Sequence, residues 1–566
     1  MKFKEFNYRR PDLDVFKQEY KEYIKQIKDA QSVKEAMEGI RKVQSLQNEL
    51  STQSELAGIR YSIDTKDNFY QNESDFWDEH QPIISEWETD YYRTILDSQY
   101  LDELKKEIPE PFFDIIENSL NVFDSSIIPL LQQENKLVSE YDLLIASAEL
   151  EYKGTTYNLS GLTPFMQSTD REERKTTSEL YSNFFKENLS DLDRIYDELV
   201  KVRHEMATRL GFKDFVEMGY ARMNRLDYTR LDVEVYRKEV LEHIVPLSKY
   251  IFDRQANRLD LDELKYYDLG LNFPTGNAKP IGTTFEVIQK AEKMYSEMSP
   301  ETDEFFDFMM KHDLMDLLTK TGKQSGGYCT YIPNLNAPFI FANFNGTSGD
   351  VDVLTHEAGH AFQVYRSRWI TVPELIWPTH ESCEIHSMSM EFFAWPWMDQ
   401  FFGDKVDKYK YAHLADGVTF LPYGVLVDHF QHEVYENPTM TPKERRLKWR
   451  ELEKQYNPWK EYDDNEFYDQ GGLWFRQAHI FSSPFYYIDY TLAQVGAFQF
   501  WDRSQIKEDD SFWSDYLKIC RVGGTKSYLE IVKLANLTSP FEEGSLEEVT
   551  RSIKTYLENI DEEQLI

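Results

Sequence analysis

His356-Glu357-Ala358-Gly359-His360 sets two imidazoles four residues apart around a carboxylate. Four residues make about 1.1 turns of an α-helix, so both rings leave one face and can share a Zn²⁺. Glu357 lies beside them, where it can reach a water on the metal without itself binding the metal. In a chain with 12 histidines, chance supplies roughly 0.02 such H-E-x-x-H matches. The chemistry implied is hydrolysis: the metal lowers the pKa of a water from about 15.7 toward roughly 7, and Glu357 takes its proton.

A catalytic zinc needs a third protein ligand and keeps a fourth position open. The segment PTHESCEIHSMSMEFFAWPW (378–397) offers His380, Glu381, Cys383, Glu384, His386 and Glu391. Glu381, Glu384 and Glu391 fall near one helical face, so periodicity does not choose among them. In this class of zinc peptidase the glutamate follows the second histidine by two dozen residues, and 384 − 360 = 24 favours Glu384. His380 and His386 read as supporting or core residues, and Cys383 as a buried, inert thiol. Asp352, one turn before His356, either orients an imidazole or is a first-turn acid favoured by the helix dipole. Asp428-His429-Phe430-Gln431-His432-Glu433 also pairs histidines with acids, but at i, i+3 spacing and with no motif to complete a set.

The elements around these residues are mainly helical. Phe16, Tyr20, Tyr23, Ile24 and Ile27 repeat at helical spacing, as do Val33, Met37, Ile40, Val43, Leu46 and Leu50. Ser348 or Asp350 can cap the helix carrying the motif, with Val351, Leu354, Ala358, Phe362 and Tyr365 on its buried face. Strand-like composition interrupts the helices at 151–165 and 325–346, and a helical run starts near Asp170. The expectation is a mainly α protein with one small β-sheet near the metal helix, divided into a helical region 1–190 and a catalytic region 191–566.

The chain has 63 Lys+Arg against 100 Asp+Glu, a net charge of −37. Nucleic acid and anionic membrane surfaces are thereby excluded as partners, since both demand cationic patches. There is no run of 18 apolar residues to cross a membrane, the first residues do not read as a secretory signal, and three cysteines make no disulfide framework. A cytoplasmic location is expected.

DVDVLTHEAGHAFQ, CEIHSMSMEFFAWPW and HIFSSPFYYIDYTLAQ together resemble the thimet oligopeptidase/oligoendopeptidase F family of zinc metallopeptidases, and within it the Pz-peptidase-like bacterial oligopeptidases. The resemblance implies a two-lobed helical molecule with zinc on the floor of a deep channel, cutting internal bonds of short unfolded peptides. It maps the zinc ligands onto His356, His360 and Glu384, and the general base onto Glu357. It also implies hydrogen-bond donors to the substrate carbonyl at His479 and among Tyr486, Tyr487 and Tyr490; Tyr486 and Tyr490 are i, i+4 and share a face. The alternatives are a carboxypeptidase or dipeptidyl carboxypeptidase of the same zinc class, a non-catalytic peptide-binding protein, or a zinc-stabilised structural protein. A closed four-ligand site would mark the last of these.

Overall fold

The computed structural model describes residues Met1–Leu565. Helices dominate, as the stripes require: Tyr20, Ile24, Ile27, Ile40, Val43 and Leu50 are all buried. Eight helices position the site and its approaches: α1 (Val33–Ile63), α2 (Asn68–Leu96), α3 (Ile128–Ala146), α4 (Leu189–Arg209), α5 (Gly349–Ser367), α6 (His380–Phe393), α7 (Val406–Glu436) and α8 (Tyr487–Trp501). Their starts follow capping chemistry. The Ser32 hydroxyl accepts from the Glu35 amide ahead of α1, and the Asp67 carboxylate accepts from Phe69 and Tyr70 ahead of α2. The helical run expected near Asp170 begins at Arg171, with the Asp170 side chain as its cap.

Among the described residues there are two small sheets, one of them the expected sheet near the metal helix. β1 (Leu150–Tyr152) and β2 (Thr155–Tyr157) form an isolated hairpin; the rest of the 151–165 stretch turns helical at Leu159–Met166. The second sheet has β3 (Met315–Leu318), β4 (Tyr328–Ile332) and β5 (Ala337–Phe344) in the order β3-β5-β4. β4 runs antiparallel to β5, with Cys329 opposite Ile340, and β3 runs parallel to it, with Met315 opposite Ile340. β3 carried no sequence signal, being four residues of mixed character. β5 is buried at all but one position, as a central strand must be. Its ladder is occupied on both sides, so the outer edges of this sheet belong to β3 and β4, and of these β4 borders the metal helix.

Buried side chains segregate into two cores. One gathers Tyr20, Ile40, Trp77, Trp87, Tyr91 and Phe112 from the N-terminal helices, and reaches Val364 on α5. The other, larger core holds the sheet, α4 and α5 to α8. Between them opens a cleft of about 550 Å³, walled by Tyr61 of α1, Trp77 and Asp78 of α2, Asp142 of α3 and the loop Ser482–Pro484.

One buried ionic knot ties that loop to the helices. Arg203 on α4 donates to Glu134 of α3 at 2.6 Å, to the Tyr435 hydroxyl at 2.8 Å and to the Phe481 carbonyl. Arg222 grips the same Glu134 at 2.9 Å. Burial disfavours the Glu134 charge, but the two guanidiniums outweigh it and hold its carboxyl down at about 2. A depressed carboxyl stabilises the fold above its unfolded pKa and ceases to do so as pH falls toward its folded one. Glu134→Gln should therefore cost about 3 kcal/mol at pH 7. Urea titrations across pH should show the gap to wild type closing below about pH 4.5, and a pH-independent gap would contradict the assignment.

Candidate active site

The motif helix α5 packs against the sheet with Val351, Leu354, Ala358, Phe362 and Tyr365 all buried, as its spacing requires. Ser348 stands at its N-cap position without a capping bond; Asp350 instead accepts from the Asn345 and Gly346 amides and fixes the turn from β5 into the helix.

Beside it runs α6, and the two approach closely at Gly359. A Cβ there would lie 2.6 Å from Ser387 Cα and 2.8 Å from the His386 carbonyl oxygen, so only glycine permits the contact. The approach brings Glu384 Oε2 to 3.2 Å from His356 Nε2 and 3.3 Å from His360 Nε2. Among the described residues, His356, His360 and Glu384 are the one group of three whose ligand atoms converge, all within 4.8 Å. Glu381 faces elsewhere: it is fully buried one turn earlier, near Arg225 and Asp489. Burial opposes the Glu384 charge, but the His360 and His356 imidazoles hold its carboxyl well below the ordinary range.

A relay of hydrogen bonds fixes the first imidazole. Trp395 Nε1 donates to His413 Nδ1 at 3.0 Å, His413 Nε2 lies 2.7 Å from Glu391 Oε2, and Glu391 Oε1 lies 2.8 Å from His356 Nδ1. Glu391 accepts from both rings, which fixes the His356 ring with its Nε2 toward Glu384. Glu391 is thus the orienting carboxylate, and sequence could not separate it from a ligand. Asp352 touches no motif imidazole; it accepts from the Tyr409 hydroxyl at 2.7 Å.

Glu357 lines a cavity of about 360 Å³ with both motif histidines, Glu384, Tyr486 and Tyr490. Its Oε2 is buried without a partner, and burial raises its carboxyl above the usual range against the pull of His356 and His360. The Tyr486 hydroxyl donates to Glu384 Oε1 at 2.6 Å. Gln477 Nε2 donates to His479 Nδ1 at 2.9 Å, so His479 Nε2 carries the ring hydrogen toward the Tyr490 hydroxyl at 3.2 Å. Burial lowers the His479 pKa to about 4, which keeps the ring neutral at pH 7. Tyr487 packs its ring against His479, Tyr490, Phe420 and Tyr423 but does not line the metal cavity. His380 lines the cavity with its ring against Tyr486; His386 is buried in the core. The Asp428–His432 segment is structural, with His432 held by Tyr220 and Asp428 paired to Arg237.

Phe485, unmarked in sequence, sets the tyrosines. It has φ +69°, a costly conformation for an aromatic residue. Its carbonyl accepts from Arg225, its amide donates to Gln431 Oε1 at 3.0 Å, and its ring occupies space left by Gly219. These contacts aim the next residue, Tyr486, at Glu384.

Residues 164–551 match the peptidase family M3 model, and residues 3–123 match the peptidase M3 N-terminal domain. The chain belongs to peptidase family M3. An oligoendopeptidase F homolog of Borreliella burgdorferi is 22% identical over 76% of this chain and 75% of its own. The solved structure of PZ peptidase A with an inhibitor is 50% identical, covers 99% of this chain and 100% of its own, and superposes with a TM-score of 0.98. A structure provisionally named oligoendopeptidase F is 49% identical over 100% of both chains, also at 0.98. This M3 peptidase is a mainly α metalloendopeptidase.

Two substitutions probe the support of the site. Gly359→Ala should drive α5 and α6 apart and lower metal affinity and activity together. Glu391→Gln should weaken metal binding by about 10- to 100-fold with the fold intact. Competition with a graded chelator, read beside a thermal melt, checks both; unchanged affinity in Glu391→Gln would remove the orienting role.

Proposed function

We propose that His356, His360 and Glu384 hold one Zn²⁺, that Glu357 is the general base, and that the M3 peptidase cuts internal bonds of short unfolded peptides. The observation that carries the reading is the convergence of two imidazole nitrogens and one carboxylate oxygen beside a buried, unpartnered Glu357 Oε2. Two nitrogens and an oxygen are the donor set of a catalytic rather than a structural zinc, and no fourth protein ligand joins them among the described residues. Zinc there supplies Lewis acidity, making water nucleophilic near neutral pH and offsetting negative charge on the carbonyl oxygen.

The chain's own residues do the rest. Glu357 accepts the proton of the attacking water and returns it to the leaving amine. Its raised carboxyl suits both duties. Tyr486 spends its hydroxyl hydrogen on Glu384 and so fixes the ligand. Tyr490 accepts from His479 and keeps its own hydrogen for the cavity, which makes it the better donor to a carbonyl oxygen that gains charge. Tyr487 serves as a wall. The exposed edge of β4, beginning at Tyr328 and Cys329 on the rim of the cavity, can pair with an extended peptide backbone.

The division at about residue 190 gives a helical region that walls the cleft and a catalytic region that builds the floor. A recessed floor admits a flexible chain of roughly 5–20 residues, the size range implied by the family resemblance, and excludes folded domains. Three cysteines, all free, and the net charge of −37 suit a reducing, cytoplasmic setting.

Glu357→Gln should bind one zinc and lose nearly all turnover, while Glu384→Ala should lose the zinc. Metal content by mass spectrometry, set beside kcat on an end-blocked peptide, separates these outcomes. Full activity in Glu357→Gln would end the reading. The same peptide grafted into a loop of a stable domain should resist cleavage.

A further inference from the structure

A second cavity, of about 430 Å³, opens beside the metal cavity between α6, α7 and α8. Tyr490 lines both, and Glu391, which orients His356, stands in its wall. A peptide whose carbonyl reaches the metal therefore projects a neighbouring side chain into this space. The walls are Met388 and Phe392 from α6, Phe420 from α7 and Tyr487 from α8, a lining suited to a flat, bulky apolar group.

One polar group in the lining is unspent. Gln494 on α8 is 5% exposed, and its Nε2 is buried with no hydrogen-bond partner. It lies beside Gly417, at ordinary contact distance from where a Cβ of that residue would stand. A buried donor without an acceptor is costly, and a guest that supplies one is favoured over a guest that does not. The acids of the lining do not favour a cation instead. Asp352 already accepts from Tyr409, Glu391 is shared by two imidazoles, and Asp416 is exposed.

We propose that this pocket selects one of the two residues flanking the cleaved bond, and that it takes tyrosine before phenylalanine because Gln494 donates to the phenol oxygen. The proposal rests on the metalloendopeptidase reading and adds a substrate preference to it.

The test uses zinc-loaded full-length protein and end-blocked peptides carrying Ala, Leu, Phe, Tyr or Lys at each flanking position in turn. At one position tyrosine should exceed alanine in kcat/KM by at least about tenfold, and phenylalanine by about fivefold. Gln494→Met should bring tyrosine and phenylalanine within about twofold of each other while both still exceed alanine. Wild-type protein given 4-methylphenylalanine in place of tyrosine should show the same loss, and this arm does not depend on a variant folding. Equal rates for tyrosine and phenylalanine at both positions would overturn the role of Gln494, and a preference for lysine would overturn the pocket chemistry in favour of Asp416. Cleavage of no peptide, alanine included, would instead overturn the reading on which the proposal rests.

Discussion

The close approach of α5 and α6 at Gly359 is the constraint on which the rest depends. Two helices packed through ordinary side chains lie 8–10 Å apart, and a side chain at 359 would force that separation by striking the backbone of Ser387. With glycine there, Glu384 reaches both imidazoles. A one-residue change in the motif would thus alter the site without touching a ligand.

Closeness alone would not keep three ligand atoms aimed at one point, since Glu384 and His356 are buried polar groups with other ways to satisfy themselves. Each is held by a second partner. Glu384 accepts from Tyr486 and from Ser387, and His356 is pinned by Glu391, itself pinned by His413. The strained Phe485 belongs to the same logic. Its backbone cost is met by Arg225 and Gln431, and it returns the positioning of Tyr486.

The motif, its helix and the buried face of that helix were legible in sequence because they are local and periodic. Glu384 was legible only through spacing typical of a class. The orienting role of Glu391 was not, because Glu381, Glu384 and Glu391 share a residue type and nearly a face; what separates them is the neighbour each meets in space. Phe485 and Gly219 gave no signal, being 266 positions apart in sequence (485 − 219) and linked only by packing. The hairpin of β1 and β2 was legible as strand-like composition in 151–165 but not as a sheet of its own, since three residues each are too few to fix a pairing. β3 has strand geometry only because β5 pairs with it.

The proposed ligands His356, His360 and Glu384 all come from one hairpin of two adjacent helices, whereas Tyr486 and Tyr490 arrive about a hundred residues later. That spacing orders events in time. Contacts between near neighbours in sequence form early, and distant ones wait on loop closure. A growing chain can assemble the hairpin proposed to bind the cation while still lacking the hydroxyls proposed to act on a scissile bond. On the proposed assignment, metal capture and peptide cleavage would be acquired in separate stages, and a half-made molecule would be spared the activity of the finished one.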